Sequence, residues 1–109
     1  MINGLWTAEF ASSAGIFGAG VVVFREGSLL GGDAGYTYIG NYTLDGEKFK
    51  AHLLVQPFVP NFQSVFKTVG QSFNLNVEGS INEVSGVGHG SPAEMPSFRF
   101  SVKLTKKHD

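Results

Sequence analysis

Three carboxylates are the first residues in this chain whose type and setting suggest chemistry. Asp33 closes the run Gly31-Gly32-Asp33, while Asp45 and Glu47 flank Gly46. A single aspartate can serve as a general acid or base. Enzymes that work this way usually hold a second titratable group beside it, with its pKa pushed the other way, and no second carboxylate is local to Asp33. An aspartate next to glycine also closes tight turns by accepting hydrogen bonds from nearby backbone N–H groups, which is the simpler reading of Asp33. Asp45 and Glu47 are expected to project from a turn into water. That placement suits solubility or a small acidic recognition surface.

The remaining reactive residue types do not assemble into a set. His52, His89 and His108 fall on an expected strand, a glycine-rich loop and the C-terminal tail, and no pair has metal-ligand spacing. The chain has no cysteine, so it has neither a thiol nucleophile nor a disulfide framework. Its serines lack the G-x-S-x-G elbow of a hydrolase. Gly15, Gly18 and Gly20 spell G-x-x-G-x-G, the reverse of a dinucleotide loop, and they precede a β-branched run where a phosphate site needs a helix N-terminus. The expectation is a protein without a catalytic set, a metal or another cofactor.

Aromatic residues are the other candidates. Trp6, Phe10, Phe24, Tyr36, Tyr38, Phe49, Phe73, Phe98 and Phe100 fall mostly on one parity of their segments. Side chains of this kind either pack a core or line an apolar cavity for a small molecule, and both readings stay open.

The segments that carry these residues alternate with period two. Trp6, Ala8 and Phe10 oppose Thr7 and Glu9 in a first strand, and VVVF (21–24) forms a second. Arg25-Glu26-Gly27 reads as a hairpin turn into a short strand at 28–30, which GGDAG (31–35) then breaks. YTYIGNYTL (36–44) places Tyr36, Tyr38, Gly40 and Tyr42 on one face. Asp45-Gly46 is the strongest hairpin signal in the chain, and Phe49, Ala51, Leu53 and Val55 alternate after it. Phe62, Val65, Phe66 and Val69 change the period to that of a helix, predicted over 61–69 and short enough to need packing on the sheet. Strand alternation resumes at Phe73, Leu75 and Val77, with a weak strand at 80–85 and a loop expected from Gly86 to Pro96. The last strand carries Phe98, Phe100, Val102 and Leu104 on one face.

At 109 residues the chain is sized for one domain, here taken as 1–109. Charged residues make up only 16 % and hydrophobic ones 42 %, with 15 glycines and 10 phenylalanines, which favours a compact all-β fold over disorder or coiled coil. Seven or eight short strands joined by short turns must hide their edges. A small antiparallel up-and-down barrel does so by closure, with a two-layer sandwich as the alternative. Eight Lys and Arg against nine Asp and Glu leave no basic stripe, so no nucleic-acid partner is expected. No apolar run approaches a membrane span and no secretory signal is visible, so the expected location is the cytoplasm.

GLWTAEF (4–10), GAGVVVFREGSLLGGDAGYTYIGNY (18–42) and the following Asp-Gly hairpin resemble the GrlR-type negative regulators of type III secretion. The motif residues are Gly31, Gly32, Asp33, Tyr36, Tyr38 and Gly40, and the likeness covers residues 3–56. The resemblance implies a lipocalin-like (calycin) barrel, usually a homodimer, with an apolar cavity. It also implies a non-enzymatic regulatory function in which a transcriptional activator is sequestered by protein–protein contact, through an acidic hairpin that follows the GGD strand. Here that hairpin keeps Asp45 and Glu47 as the expected partner-binding residues, and Lys48 reverses the sign beside them. The alternative is a carrier holding a small apolar ligand inside the barrel, lined by Trp6, Phe10, Phe24, Phe49, Phe73, Phe98 and Phe100.

Overall fold

The computed structural model describes residues 2–59 and 71–109. Eight antiparallel strands follow one another in chain order: β1 (Gly4–Ser12), β2 (Phe17–Arg25), β3 (Ser28–Gly32), β4 (Tyr36–Asp45), β5 (Lys48–Pro57), β6 (Phe73–Ile81), β7 (Ser85–Pro92) and β8 (Phe100–His108). Each pairs with the next, and β8 returns to β1, so the sheet closes as an up-and-down barrel with no free edge. The helix predicted over 61–69 lies outside the described residues. The described residues include no helix long and apolar enough to cross a membrane.

Turn chemistry sets the register. Arg25 pairs with Ser28 across a two-residue loop in which Glu26 (φ 48°) and Gly27 (φ 87°) are both left-handed. That backbone matches the right-handed twist of the flanking strands. Asp45 pairs with Lys48, leaving Gly46 (φ 62°) and Glu47 as the loop. Alternation then sends one parity of every strand inward. Trp6, Phe24, Tyr36, Phe49, Phe73 and Phe100 all face the buried interior.

Residues 86–92 correct the sequence expectation, since they form most of β7 rather than a loop. In SGVGHGSP the inward positions are Gly86, Gly88, Gly90 and Pro92, so the strand alternates without an apolar signal on its core face. The bare face has a packing cause. A Cβ on Gly88 would sit 3.0 Å from Phe49 Cζ and 3.2 Å from Val77 and Val102 methyl carbons, which already fill that space. A Cβ on Gly90 would meet the Asn76 carbonyl oxygen of the neighbouring strand, so the tight coiling of β6 and β7 requires glycine there. The weak strand expected at 80–85 is split by the β6–β7 turn, where Asn82 Oδ1 accepts from the N–H groups of Val84 (2.9 Å) and Ser85 (3.0 Å). The final strand starts at Phe100. Phe98 precedes it in a turn, donating its N–H to Met95 O at 3.0 Å.

One end of the barrel is closed by aromatic packing. Trp6 meets Phe24 edge-on at 5.7 Å, and Phe24 meets Tyr42 edge-on at 5.0 Å. Such pairs contribute about 0.5–1.5 kcal/mol each beyond their buried area. The buried indole N–H of Trp6 donates to Ile2 O at 2.9 Å, so the plug leaves no orphaned donor.

Candidate functional site

Above that plug the interior is not filled. A cavity of about 320 Å³ runs along the barrel axis, lined by inward side chains of every strand except β7. The wall is made mostly of aliphatic and aromatic groups, including Val22, Leu29, Leu53, Leu75 and Leu104. Ala8 and Ala51 add only short side chains to this wall. At the end away from Trp6 the lining reaches Ile16, Phe17 and Ala34, and Phe17 is 81 % exposed.

One carboxylate enters this apolar surface. Asp33 lies in the β3–β4 turn, where its Oδ1 accepts from the N–H groups of Gly35 and Tyr36, both at 2.9 Å. Its own N–H donates to Tyr36 O at 3.0 Å. Asp33 therefore does close the turn, but only one of its oxygens does that task. The other, Oδ2, accepts the phenolic O–H of Tyr38, and both residues line the cavity. Burial raises the Tyr38 phenol far above the ordinary tyrosine range, and the hydrogen bond and charge of Asp33 push it the same way. Tyr38 therefore stays a neutral donor. Gly20 on β2 makes the space for this pair, since a Cβ there would lie 3.0 Å from Tyr38 Oη and 3.3 Å from Asp33 Cβ.

The structure brings together some of the sequence candidates and separates others. Phe10, Phe24, Phe49, Phe73 and Phe100 line the cavity, as do Tyr36, Tyr38 and Asp33. Trp6 belongs to the plug, and Phe98 lies half-buried before β8; neither is among the described lining residues. Gly31, Gly32 and Gly40 act through close approach: a Cβ on Gly40 would collide with His52 O, and one on Gly31 with Val21 O. Asp45 and Glu47 are exposed at the β4–β5 tip, at the far end of β4 from Asp33. Ten residues of strand put roughly 30 Å between those two acidic positions. They cannot form one site.

The histidines do not converge. His52 Nδ1 is 2.7 Å from Asn76 Oδ1 on the outer wall, and His89 lies 3.7 Å from Glu78 with both side chains mostly exposed. Among the described residues no group of three or more His, Cys, Asp or Glu could hold a metal ion.

Sequence reading missed the outer surface of β1–β4. Leu5 pairs with Val23, Val23 with Leu30, and Leu30 with Ile39, and all four point outward. With Val21 they are 37–50 % exposed. The signal was present in the sequence, because VVV and LL cannot hide every residue on one face. No model of a known protein family matches the chain, and no curated protein matches it significantly. The likeness to GrlR-type regulators accordingly rests on the residues quoted for it.

Proposed function

We propose that this protein is a non-enzymatic binding protein that holds a small apolar molecule inside its barrel. The cavity carries this reading. A volume of 320 Å³ lies within the range of small-molecule sites, and its wall is apolar with one convergent polar pair. At the packing of a liquid the space suits about ten non-hydrogen atoms. Large-to-small core substitutions scale at about 24 cal/mol per Å³, so covering such a wall is worth several kcal/mol of contact. Native mass spectrometry of protein purified from its own host tests the reading. The expected result is an adduct on the order of 150 Da, sized for about ten heavy atoms. Bare protein, together with no uptake of added octan-1-ol by calorimetry, would overturn it.

A second reading, a regulator that acts by protein contact, is supported by the outer row. Leu5, Val21, Val23, Leu30 and Ile39 together expose on the order of 400 Å² of apolar area, the scale at which a patch marks an interaction site. A second copy of the chain, giving the homodimer, or a transcriptional activator are the occupants this reading names. Leu30→Lys should return a dimer to monomer in sedimentation without moving the cavity. A wild-type protein that sediments as a single 11.7 kDa species at micromolar concentration removes the dimer.

A further inference from the structure

Asp33 differs from every other residue around the cavity. No lysine, arginine or histidine is among the described lining residues, and no ion pair engages Asp33 among the described residues. Its Oδ1 is occupied by the two turn N–H groups. Its Oδ2 takes one hydrogen bond, from Tyr38, and a carboxylate oxygen has a second lone pair. Because Tyr38 donates to Asp33, the acceptor face of its own oxygen is left over. The polar corner of the cavity thus offers acceptors and negative charge, with no cation to balance them.

A ligand completes such a corner by bringing donors and positive charge. A protonated amine has three N–H donors, enough to engage Asp33 Oδ2 and Tyr38 Oη together. Charge-assisted hydrogen bonds of this kind are shorter and stronger than neutral ones, and more so in apolar surroundings. A carboxylate head, as in a fatty acid, would face Asp33 with like charge and no donor. A neutral alcohol would satisfy one acceptor only.

Resting on the ligand-binding reading above, we propose that Asp33, with Tyr38 Oη as a second acceptor beside it, selects a primary amine of about ten non-hydrogen atoms. The two acceptors hold the ammonium at the rim end of the cavity, and the tail lies along the axis toward Phe24.

Calorimetry on the full chain at pH 7 with octylamine, octan-1-ol and octanoate tests this. Octylamine should bind at least about tenfold tighter than octanoate, with octan-1-ol between them. Asp33→Asn keeps a side-chain oxygen for the turn N–H groups but removes the charge. It should bring octylamine and octanoate within about threefold while leaving octan-1-ol unchanged. Tyr38→Phe keeps the charge and should retain the amine preference. Octanoate binding as tightly as octylamine, or a preference that survives Asp33→Asn, overturns the selection while leaving the cavity reading in place. Failure of all three probes, together with bare protein in native mass spectrometry, overturns both. The wild-type ratio needs no variant, so a misfolded Asp33→Asn would not rescue the proposal.

Discussion

Ala8→Leu turns the cavity into a measurement of free energy. Ala8 lies on β1 between Gly20 and Leu104, is 4 % exposed and lines the cavity wall. Leucine adds three carbons, about 90 Å³ at roughly 30 Å³ each, more than a quarter of the space. If the volume is truly open, their burial contributes about 2 kcal/mol at ~0.8 kcal/mol per methylene. If the wall is close-packed instead, the same carbons force strained rotamers and cost about 1–3 kcal/mol. The sign therefore decides. The expected result in urea is a higher midpoint at an unchanged slope, a gain of about 1–2 kcal/mol once rotamer entropy is taken off. Octan-1-ol affinity should fall at least about tenfold in the same protein, because the leucine occupies its place. A loss of stability above about 1 kcal/mol with ligand uptake unchanged would refute the reasoning, since it would place the binding volume elsewhere.

Gly20→Ala, on the neighbouring strand, should do the opposite. Its Cβ would sit 2.7 Å from Gly32 O, so we expect a loss of about 1–3 kcal/mol in the same urea assay. Tyr38 should remain protonated above the ordinary tyrosine pKa, while the unfolded chain ionises from about pH 10. The unfolded state then binds fewer protons, so stability present below that pH falls as pH rises. Tyr38→Phe should flatten that alkaline decline, as followed by denaturation between pH 8 and 11. Reversing Asp45 and Glu47 to lysine should change stability by less than about 0.5 kcal/mol, because both are exposed turn residues. If the hairpin meets a protein partner, a pull-down from the native host should show weaker and more salt-dependent capture. Equal recovery would move the contact off the hairpin.

The fold was readable wherever an inward residue was larger than glycine. Phe49-x-Ala51-x-Leu53-x-Val55 and Phe100-x-Val102-x-Leu104 announce their strands by alternation, and Asp45-Gly46 announces its turn. β7 was unreadable for a physical reason: its inward face is Gly86, Gly88 and Gly90, because the Ile81 side chain, the Phe49, Val77 and Val102 side chains, and the Asn76 carbonyl respectively occupy the space a Cβ would need. Alternation detects side chains, not the gaps left for them. The dual task of Asp33 was half legible. GGD predicts the turn cap, but only the tertiary structure brings Tyr38, five residues on, to the second carboxylate oxygen. Phe98 shows the opposite error, a correct parity extended past the start of its strand. The cavity itself depends on two alanines and on which aromatics plug the floor, and neither is a property of any one segment.

The two faces of β1–β4 bear on function separately. Val22, Phe24, Leu29 and Tyr38 face the interior, while Val21, Val23, Leu30 and Ile39, their immediate neighbours in sequence, face outward. An antiparallel strand that needed only one covered face would read apolar-in and polar-out, as β5 and β6 do with Lys50, His52, Asn76 and Glu78 outside. Continuous apolar runs belong to strands covered on both sides, so the outer row is the surface that the contact reading proposed above would use, whether or not the cavity is filled. The interior and exterior readings are thus not rivals for the same residues. Ala8→Leu acts on one side of the backbone and Leu30→Lys on the other. A protein that lost ligand uptake with the first and its sedimentation class with the second would owe each property to a different parity of the same sheet.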